Sequence, residues 1–329
     1  MAPKKPIAIT MGDPAGVGPE IICKALAHMS DAERAATVVI GDQWFLERAS
    51  NLVDADLVFG FAFDNPVPGV IGVVDIPARS RDSIKDGKVC AAAGELAYRC
   101  VEKAVELAQD GDVSVIVTAP LNKEALHAAE RIYDGHTGML AHLSGAASSF
   151  MLLVSETLAT VHVTTHVSLS GAIKQATKQR VLDTIHAGHD HFKELGYDNP
   201  RIAVAGLNPH SGEHGIFGTE EIEYIEPAVK AAQKEGLNVV GPLPSDTVFY
   251  RAYHGEFDVV VAQYHDQGHI PCKLVAFDKT VNVSLGLSVR RTSVDHGTAF
   301  DLAWKGKADH TNMQAAIAYA RRMAAYDEV

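Results

Sequence analysis

AAAGELAYRCVEKAVELAQDGDVSVIVTAP, residues 91–120, places a long helix pattern directly before a strand pattern. In the first part, apolar residues recur three and four positions apart, which is typical of a helix with one buried face. The run VSVIVTAP is apolar without strict alternation, as expected for a strand that is covered on both faces. The stretch therefore predicts a helix followed by a buried strand, the repeating unit of a parallel α/β sheet.

The same alternation of strand and helix patterns continues along the chain. Further helix patterns are TKQRVLDTIHAGHDHFKELG and TEEIEYIEPAVKAAQKEG. Further strand-like runs are PIAITMG, ATVVIGD, VIGVVDI, SFMLLVSE, TVHVTTHV, RIAVAGLN, FDVVVAQYH and TVNVSLG. Because 329 residues exceed one typical domain, we expect an α/β protein of two lobes, each with a largely parallel sheet.

Composition and charge exclude several classes of protein. The chain is 47% hydrophobic and 21% charged, as in globular proteins with a sizeable core. A net charge of -12 argues against nucleic acid or an anionic membrane as the main partner. The start lacks the apolar core of a signal peptide, and no apolar run reaches the roughly 18 residues of a membrane span. The four cysteines form no CxxC pair, which favours a reducing cytoplasm.

Histidines follow three of the predicted strands. His166, His210 and His265 each come just after the end of an apolar run, and ligands of α/β sheets bind at the carboxyl ends of strands. Neutral imidazole is a common ligand of zinc-like cations, and three protein ligands would leave positions open for a substrate. A single histidine in such a position is more often a surface or core residue than a metal ligand. His214 lies four residues after His210, and His269 lies four residues after His265. We treat both as alternative metal ligands or as residues that contact a ligand.

Two other motifs are weaker signals. HAGHDHF contains His186, His189 and His191 but lies inside a helix pattern, which favours a solvated helix face over a metal site. Gly12–Glu20, GDPAGVGPE, does not match the GxGxxG spacing of a Rossmann nucleotide loop. We interpret it mainly as a tight turn that shapes one wall of a cleft.

An anion site is indicated by basic and polar residues beside the later strands. Lys273 offers a point charge, Arg291 offers a fork suited to carboxylate or phosphate, and Asn282 lies between them in the sequence. His136 and Thr137, in DGHTG, are further candidates. In a chain of negative net charge, these residues favour an acidic small-molecule substrate, although single basic residues on edge strands are usually surface charge.

YHDQGHIPCKLVAFDKTVNVSLGLSVRRTSVDHGTAFDLAWKGKA closely resembles the 4-hydroxythreonine-4-phosphate dehydrogenase family, PdxA. ITMGDPAGVGPEI, VTAPLNKEAL, DGHTGMLAHL, VTTH, GLNPHSGEHGIFGTEEI and GPLPSDTVF match in family order over essentially the full chain. The resemblance implies two α/β/α lobes around a central cleft, like isocitrate and isopropylmalate dehydrogenases and unlike a Rossmann domain. We expect a first, cofactor-side lobe of residues 1–125 plus 270–329, and a second, metal- and dimer-side lobe of residues 126–269.

The resemblance also implies roles for individual residues. It implies a homodimer that uses NAD and one divalent metal per site, zinc or else magnesium, cobalt or manganese, with one metal ligand donated across the dimer interface. The family's metal ligands fall on His166, His210 and His265. Its substrate contacts fall on His136, Thr137, Lys273, Asn282 and Arg291. The cofactor loop falls on Asp295, His296, Gly297 and Thr298. Candidates for the catalytic base are Asp246, Lys273 and metal-bound hydroxide.

The motif after GHT bears on the substrate. Gly138 stands where the pyridoxal-phosphate pathway enzyme typically has a glutamate, and the stretch TAPLNKE differs from that enzyme's pattern as well. The chain is more similar to the subgroup that acts on 4-phospho-D-threonate or 4-phospho-D-erythronate. That implies oxidation of the C3 hydroxyl to a β-keto acid, followed by decarboxylation. The alternatives are 4-hydroxythreonine-4-phosphate dehydrogenase, a cis-dihydrodiol acid dehydrogenase, a non-catalytic binding protein and a metal hydrolase.

Overall fold

The computed structural model describes residues 5–60 and 66–325. The strands are β1 (Ile7–Thr10), β2 (Thr37–Gly41), β3 (Val58–Gly60), β4 (Val70–Asp75), β5 (Ile116–Thr118), β6 (Phe150–Val154), β7 (Ala159–His162), β8 (Ile202–Ala205), β9 (Val239–Leu243), β10 (Val259–Ala262), β11 (Val281–Leu285) and β12 (Arg291–Ser293).

Helices connect most of these strands. They are α1 (Gly18–Ala27), α2 (Asp31–Ala35), α3 (Gln43–Leu52), α4 (Ala91–Gln109), α5 (Lys123–Ala128), α6 (His136–Ser144), α7 (Leu169–Gln175), α8 (Lys178–Glu194), α9 (Glu226–Lys234), α10 (Ser245–Tyr253), α11 (His265–Ala276) and α12 (Thr311–Ala325). Short 3-10 segments span Arg81–Ser83 and Pro209–Gly215, and a π-helical turn spans Glu221–Ile225.

The first compact unit contains the described residues up to Ser149 and those from Leu287 to Ala325. Its strands lie in the order β3-β4-β2-β1-β5-β12, and the pairings between them are parallel. Thr118 is in register with Thr10 of one neighbouring strand and with Ser293 of the other. The carboxyl ends of β1, β5 and β12 therefore lie side by side.

The second compact unit is Phe150–Gly286. Its strands lie in the order β11-β6-β7-β10-β8-β9. β6 is antiparallel to β7 and β11, whereas β7, β10, β8 and β9 pair in parallel. Three neighbouring parallel strands, β7, β10 and β8, thus end at the same edge.

The predicted α/β class is confirmed. Every apolar run that we interpreted as a strand contains one, and these strands are buried on both faces because helices pack against the sheets. β3, β9 and β12 were not predicted; β9 carries Gly241 and Pro242, and β12 is the polar triplet RTS. Among the described residues, no helix has the length and apolar character needed to cross a membrane.

The bounds of the compact units lie later in the chain than the predicted lobe bounds. The chain divides after Ser149 and after Gly286, whereas the sequence suggested divisions after residues 125 and 269. Packing explains the difference, because α6 packs against α4 in the first unit and β11 pairs with β6 in the second.

Candidate functional site

The three predicted metal ligands follow three neighbouring strands of the second unit. His166 comes after β7, His265 after β10 and His210 after β8, and β10 lies between the other two strands. The pairing continues past the strand ends, where the Val163 N–H donates to the Ala262 carbonyl at 2.8 Å. The fold therefore brings all three histidines to one edge, which we call the histidine edge.

Two of these imidazoles are already close to each other. The ring centroids of His166 and His265 are 5.8 Å apart. His265 begins α11, is half-buried, and its Nδ1 lies 2.7 Å from Oδ1 of exposed Asp266. Among the described residues, no three His, Cys, Asp or Glu side chains are close enough together to hold a metal ion. The fold thus gathers the donors without forming a finished coordination shell.

His210 lies in a left-handed turn. Its φ is 52°, and positive φ values continue through His214. Its ring lies 6.2 Å from the ring of Phe217, and both side chains are exposed. An exposed imidazole on a fixed turn can meet a ligand without first breaking internal contacts.

Two buried histidines lie behind His265. The ring of His269 stacks on that of His265, with centroids 3.5 Å apart. Nδ1 of His269 lies 3.1 Å from Nε2 of His162, whose own Nδ1 lies 3.1 Å from the Met151 carbonyl. Since that carbonyl can only accept, His162 carries its proton on Nδ1, and the Nδ1–H of His269 is shared between Nε2 of His162 and the His265 carbonyl, which lies 3.0 Å away. Burial, with smaller contributions that include His269, lowers the pKa of His162 to about 3, so its ring stays neutral.

A network of glutamine and serine side chains ties the histidine edge to α10. The Gln267 amide donates to the Gly206 carbonyl at 2.7 Å and to the Ser245 hydroxyl at 2.9 Å. The Gln263 N–H donates to Gln267 at 2.6 Å, and Ser245 also donates to Gly206. This network places exposed Asp246, the predicted base, in the first turn of α10 beside the ends of β8 and β10.

Lys273 and Asn282 belong to the same unit. Lys273 is half-buried on α11, eight residues after His265, and its ammonium lies 5.7 Å from the ring centroid of Phe277. Asn282 is on β11, and its buried Oδ1 has no hydrogen-bond partner within the described part of the chain. A buried carbonyl oxygen without a donor is costly, which fits a position that meets a ligand hydroxyl or N–H.

Arg291 is the most deeply buried of the predicted substrate contacts. It is 2% exposed on β12, and its Nε and Nη2 donate to the Thr118 hydroxyl at 3.1 and 2.7 Å. Burial lowers the pKa of this guanidinium to about 9, which still leaves it charged at neutral pH. Its charge is thus held at the carboxyl ends of β5 and β12, where a ligand anion would be favourable.

His136 complements Arg291 within the first unit. It begins α6, and its buried Nε2 has no hydrogen-bond partner among the described residues. Burial first, and the nearby positive charge of Arg291 second, lower the pKa of His136 well below its ordinary value. The imidazole is therefore neutral. We call Arg291, Thr118 and His136 the Arg291 cluster.

The predicted cofactor loop packs on the glycine-rich turn of the first unit. The Val17 N–H donates to the Thr298 carbonyl at 3.0 Å, and a Cβ on Gly16 would lie 2.9 Å from Cβ of Thr298. The Asp295 N–H donates to the Asn312 side chain at 2.6 Å. Exposed His296 and Gly297 form the tip of the loop, and a Cβ on Gly297 would meet nothing within 4 Å. The turn thus supports this loop, and the open tip fits contact with a nucleotide.

Asp13 is a functional candidate that we did not predict. It is fully buried in the glycine-rich turn, its Oδ1 accepts from the Ala15 N–H at 2.8 Å, and its Oδ2 has no partner within the described residues. Burial raises the pKa of this carboxyl to about 6. The sequence signal was its position in the turn that follows β1, which we interpreted mainly as structural.

The remaining candidates have simpler environments. Thr137 is half-buried in the first turn of α6. His186 pairs with Glu235 at 2.6 Å and His189 with Asp190 at 3.0 Å, both on the outer part of α8. These two histidines therefore have carboxylate partners away from the histidine edge.

Comparison with known proteins gives consistent matches over nearly the whole length. Residues 33–320 match the family described as pyridoxal phosphate biosynthetic protein PdxA. The D-threonate 4-phosphate dehydrogenase of Pectobacterium atrosepticum is 47% identical over 97% of this chain and 99% of its own. The 4-hydroxythreonine-4-phosphate dehydrogenase of Beijerinckia indica is 46% identical over 97% and 95%.

A solved structure agrees with these sequence matches. The crystal structure of 4-hydroxythreonine-4-phosphate dehydrogenase from Klebsiella pneumoniae is 46% identical and superposes with a TM-score of 0.89. It covers 97% of this chain and 99% of its own. Family profile, sequence identity and fold agree, and this chain belongs to the PdxA family.

Proposed function

We propose that this protein is an NAD- and divalent-metal-dependent dehydrogenase of a 4-phosphorylated four-carbon hydroxy acid. It oxidises the C3 hydroxyl of 4-phospho-D-threonate or 4-phospho-D-erythronate to a β-keto acid, which then loses carbon dioxide. The observation that carries the proposal is the histidine edge, where three neighbouring parallel strands each deliver one histidine. The relative from Pectobacterium, named for D-threonate 4-phosphate, supports the choice of substrate.

His166, His210 and His265 would hold the cation, zinc or else magnesium, cobalt or manganese. A bound cation of this kind supplies Lewis acidity, which lowers the pKa of a coordinated alcohol, and the nicotinamide accepts hydride. Three imidazoles are a donor set suited to zinc, and with only three protein ligands such a site keeps a position open for substrate. The three rings are exposed or half-buried, so a ligand can reach them from solvent.

The Arg291 cluster would bind one negatively charged end of the substrate. Charged Arg291, whose Nε and Nη2 already donate to Thr118, would attract the anion by its positive charge, while neutral His136 would add a directional contact through Nε2. Lys273 and Asn282 would contact the substrate as a point charge and as a hydrogen-bonding amide. These groups orient the substrate, and orientation is a large part of catalysis at a prearranged site.

The proton of the C3 hydroxyl would pass to Asp246 or Lys273. Asp246 is an exposed carboxylate beside the histidine edge, fixed through its neighbour Ser245. Lys273 would need its side chain in the neutral amine form to accept this proton.

Exposed apolar side chains support a homodimer with the histidine edge at its interface. Large apolar residues are exposed shortly after each histidine: Val167 and Leu169 after His166, Ile216 and Phe217 after His210, and Ile270, Leu274 and Phe277 after His265. Leu274 is 83% exposed, and where exposed apolar side chains adjoin one another they mark protein interfaces. We also propose the cytoplasm as its location, because none of the four cysteines, all of which lie in the described part of the chain, forms a disulfide.

The test is NADH formation by the metal-loaded protein with four substrates, each with and without a chelator. They are 4-phospho-D-threonate, 4-phospho-D-erythronate, 4-phosphohydroxy-L-threonine and an unphosphorylated cis-diol acid. We expect chelator-sensitive turnover that is fastest with one of the first two. Preference for the third would assign the protein to the activity named for the Beijerinckia relative, and absence of NADH with all four would refute the proposal.

A further inference from the structure

The turn that carries His210 has an unusual backbone. His210, Ser211, Gly212, Glu213 and His214 have successive φ values of 52, 53, 78, 43 and 55°. Residues that carry a side chain are disfavoured in this left-handed region, and they rarely occupy it in succession. Such a turn persists only where the surrounding structure holds it in place.

Glu221 is the group that holds the start of this turn. It is 1% exposed, and its Oε1 accepts the backbone N–H groups of Leu207 and Asn208, each at 2.7 Å. Its Oε2 accepts the side-chain amide of Asn208 at 2.9 Å. Three N–H donors on one buried carboxylate offset much of the cost of removing its charge from water. The residues that directly precede Pro209 and His210 are thereby fixed.

Glycines allow the turn to close around this carboxylate. A Cβ on Gly212 would lie 2.8 Å from Oε2 of Glu221, and one on Gly218 would lie 2.4 Å from Nδ2 of Asn208. Glu221 itself begins the π-helical turn that leads into α9, and π-helical turns recur at functional sites. The segment GLNPHSGEHGIFGTEEI thus folds back on itself, and Glu221 near its end fixes Leu207 and Asn208 near its start.

We propose that Glu221 is a positioning residue for His210. It holds the Leu207–Asn208 backbone, and with it the left-handed turn, so that the imidazole is in place before a cation binds. The functional part of this inference rests on the proposed role of His210 as a metal ligand. Partners that orient metal ligands commonly contribute about 10–100-fold to metal affinity.

The test compares Glu221→Gln with Glu223→Gln, a matched control two residues away. Glu223 is exposed and accepts from the Thr219 hydroxyl at 2.6 Å, away from Leu207 and Asn208. Two readouts are measured on the full-length metal-free protein: amide hydrogen exchange of residues 207–218, and zinc affinity by calorimetry. Glu221→Gln should speed exchange in this segment and lower zinc affinity about 10–100-fold, and the control should change neither.

The outcomes separate this inference from the proposed function. Faster exchange with unchanged zinc affinity would make Glu221 a purely structural group and overturn the inference. His210→Ala is measured in parallel: if it keeps full zinc affinity, the proposed ligand set itself is wrong. If Glu221→Gln does not fold, Asn208→Ala removes the side-chain contacts to Oε2 of Glu221 and of Glu220 but keeps both backbone N–H groups on Oε1 of Glu221, and it should shift both readouts in the same direction by a smaller amount.

Discussion

The Arg291 cluster and the histidine edge differ in how far their side chains are exposed to solvent. Arg291 is 2% exposed and bound to the hydroxyl of Thr118, whereas His166 and His210 are exposed. A buried charge must be arranged during folding, because an unpaired charge in the core is expensive. Exposed imidazoles can be reached from solvent, so their arrangement can be completed by what binds to them.

The difference teaches where substitutions should affect folding and where they should affect only binding. Changes at the histidine edge remove ligands from an accessible surface, and surface substitutions usually alter stability by less than about 0.5 kcal/mol. Changes in the Arg291 cluster should affect both the fold and the proposed binding of the substrate. Stability and activity measured together therefore test the contrast directly.

The largest effect is expected from His265→Ala. Loss of a proposed ligand should reduce turnover to background and abolish tight zinc binding, a greater loss than the roughly 10–100-fold typical of outer partners. The melting temperature of the metal-free protein should change little, since the side chain is only half-buried. Metal content by mass spectrometry and NADH formation are the measurements.

His189→Ala is the control for this prediction. His189 pairs with Asp190 on α8, so the variant should keep both metal and activity. If His265→Ala retains a full complement of metal and normal turnover, the histidine edge is not the metal site.

A smaller but still large effect is expected from Arg291→Met. Removing the buried cation should cost about 2–5 kcal/mol of substrate binding, or roughly 30-fold to several thousand-fold in kcat/KM. Most of the loss should appear in KM if the guanidinium binds ground and transition states alike. Steady-state kinetics with the phosphorylated acid provide the measurement.

Arg290→Lys is the matched comparison, since the Arg290 guanidinium donates to the Met323 carbonyl at 3.3 Å and its side chain is only half-buried. It should leave kcat/KM nearly unchanged. Equal losses in both variants would mean that the effect of Arg291 comes from general disturbance of β12 and not from anion binding.

The smallest effect concerns stability at mildly acidic pH. The pKa of buried His162 is lowered to about 3, below its ordinary value of 6.5, so between these pH values the unfolded chain binds a proton that the folded protein excludes. Stability is therefore lost as the pH falls below 6.5, by about 1.4 kcal/mol per pH unit from this residue. His136, whose pKa is also lowered, acts in the same direction.

Urea unfolding of the wild type and of His162→Asn, measured between pH 7 and pH 5, tests this expectation. The variant should lose stability less steeply with falling pH, with a difference in slope of about 1.4 kcal/mol per pH unit. Parallel slopes would show that His162 takes up a proton in the folded state and that burial does not keep it neutral.

Much of the fold could be predicted because its signals are local. Continuous apolar runs mark strands covered on both faces, and apolar spacings of three and four mark helices such as α4 and α8. The position of each histidine after a strand was also local information. β12 escaped prediction because RTS is short and polar, and its strand structure depends on pairing with distant segments such as β5.

The sequence by itself determined the α/β class, the strand ends that carry histidines and the PdxA motifs. Only the tertiary structure decided which side chains meet: Arg291 with Thr118, 173 residues apart, and His269 with His162, 107 residues apart. It also revealed the buried partners Glu221 and Asp13, whose roles depend on their surroundings. The physical reason is that hydrophobic periodicity depends on neighbours in the chain, whereas burial, hydrogen bonding and pKa depend on neighbours in space.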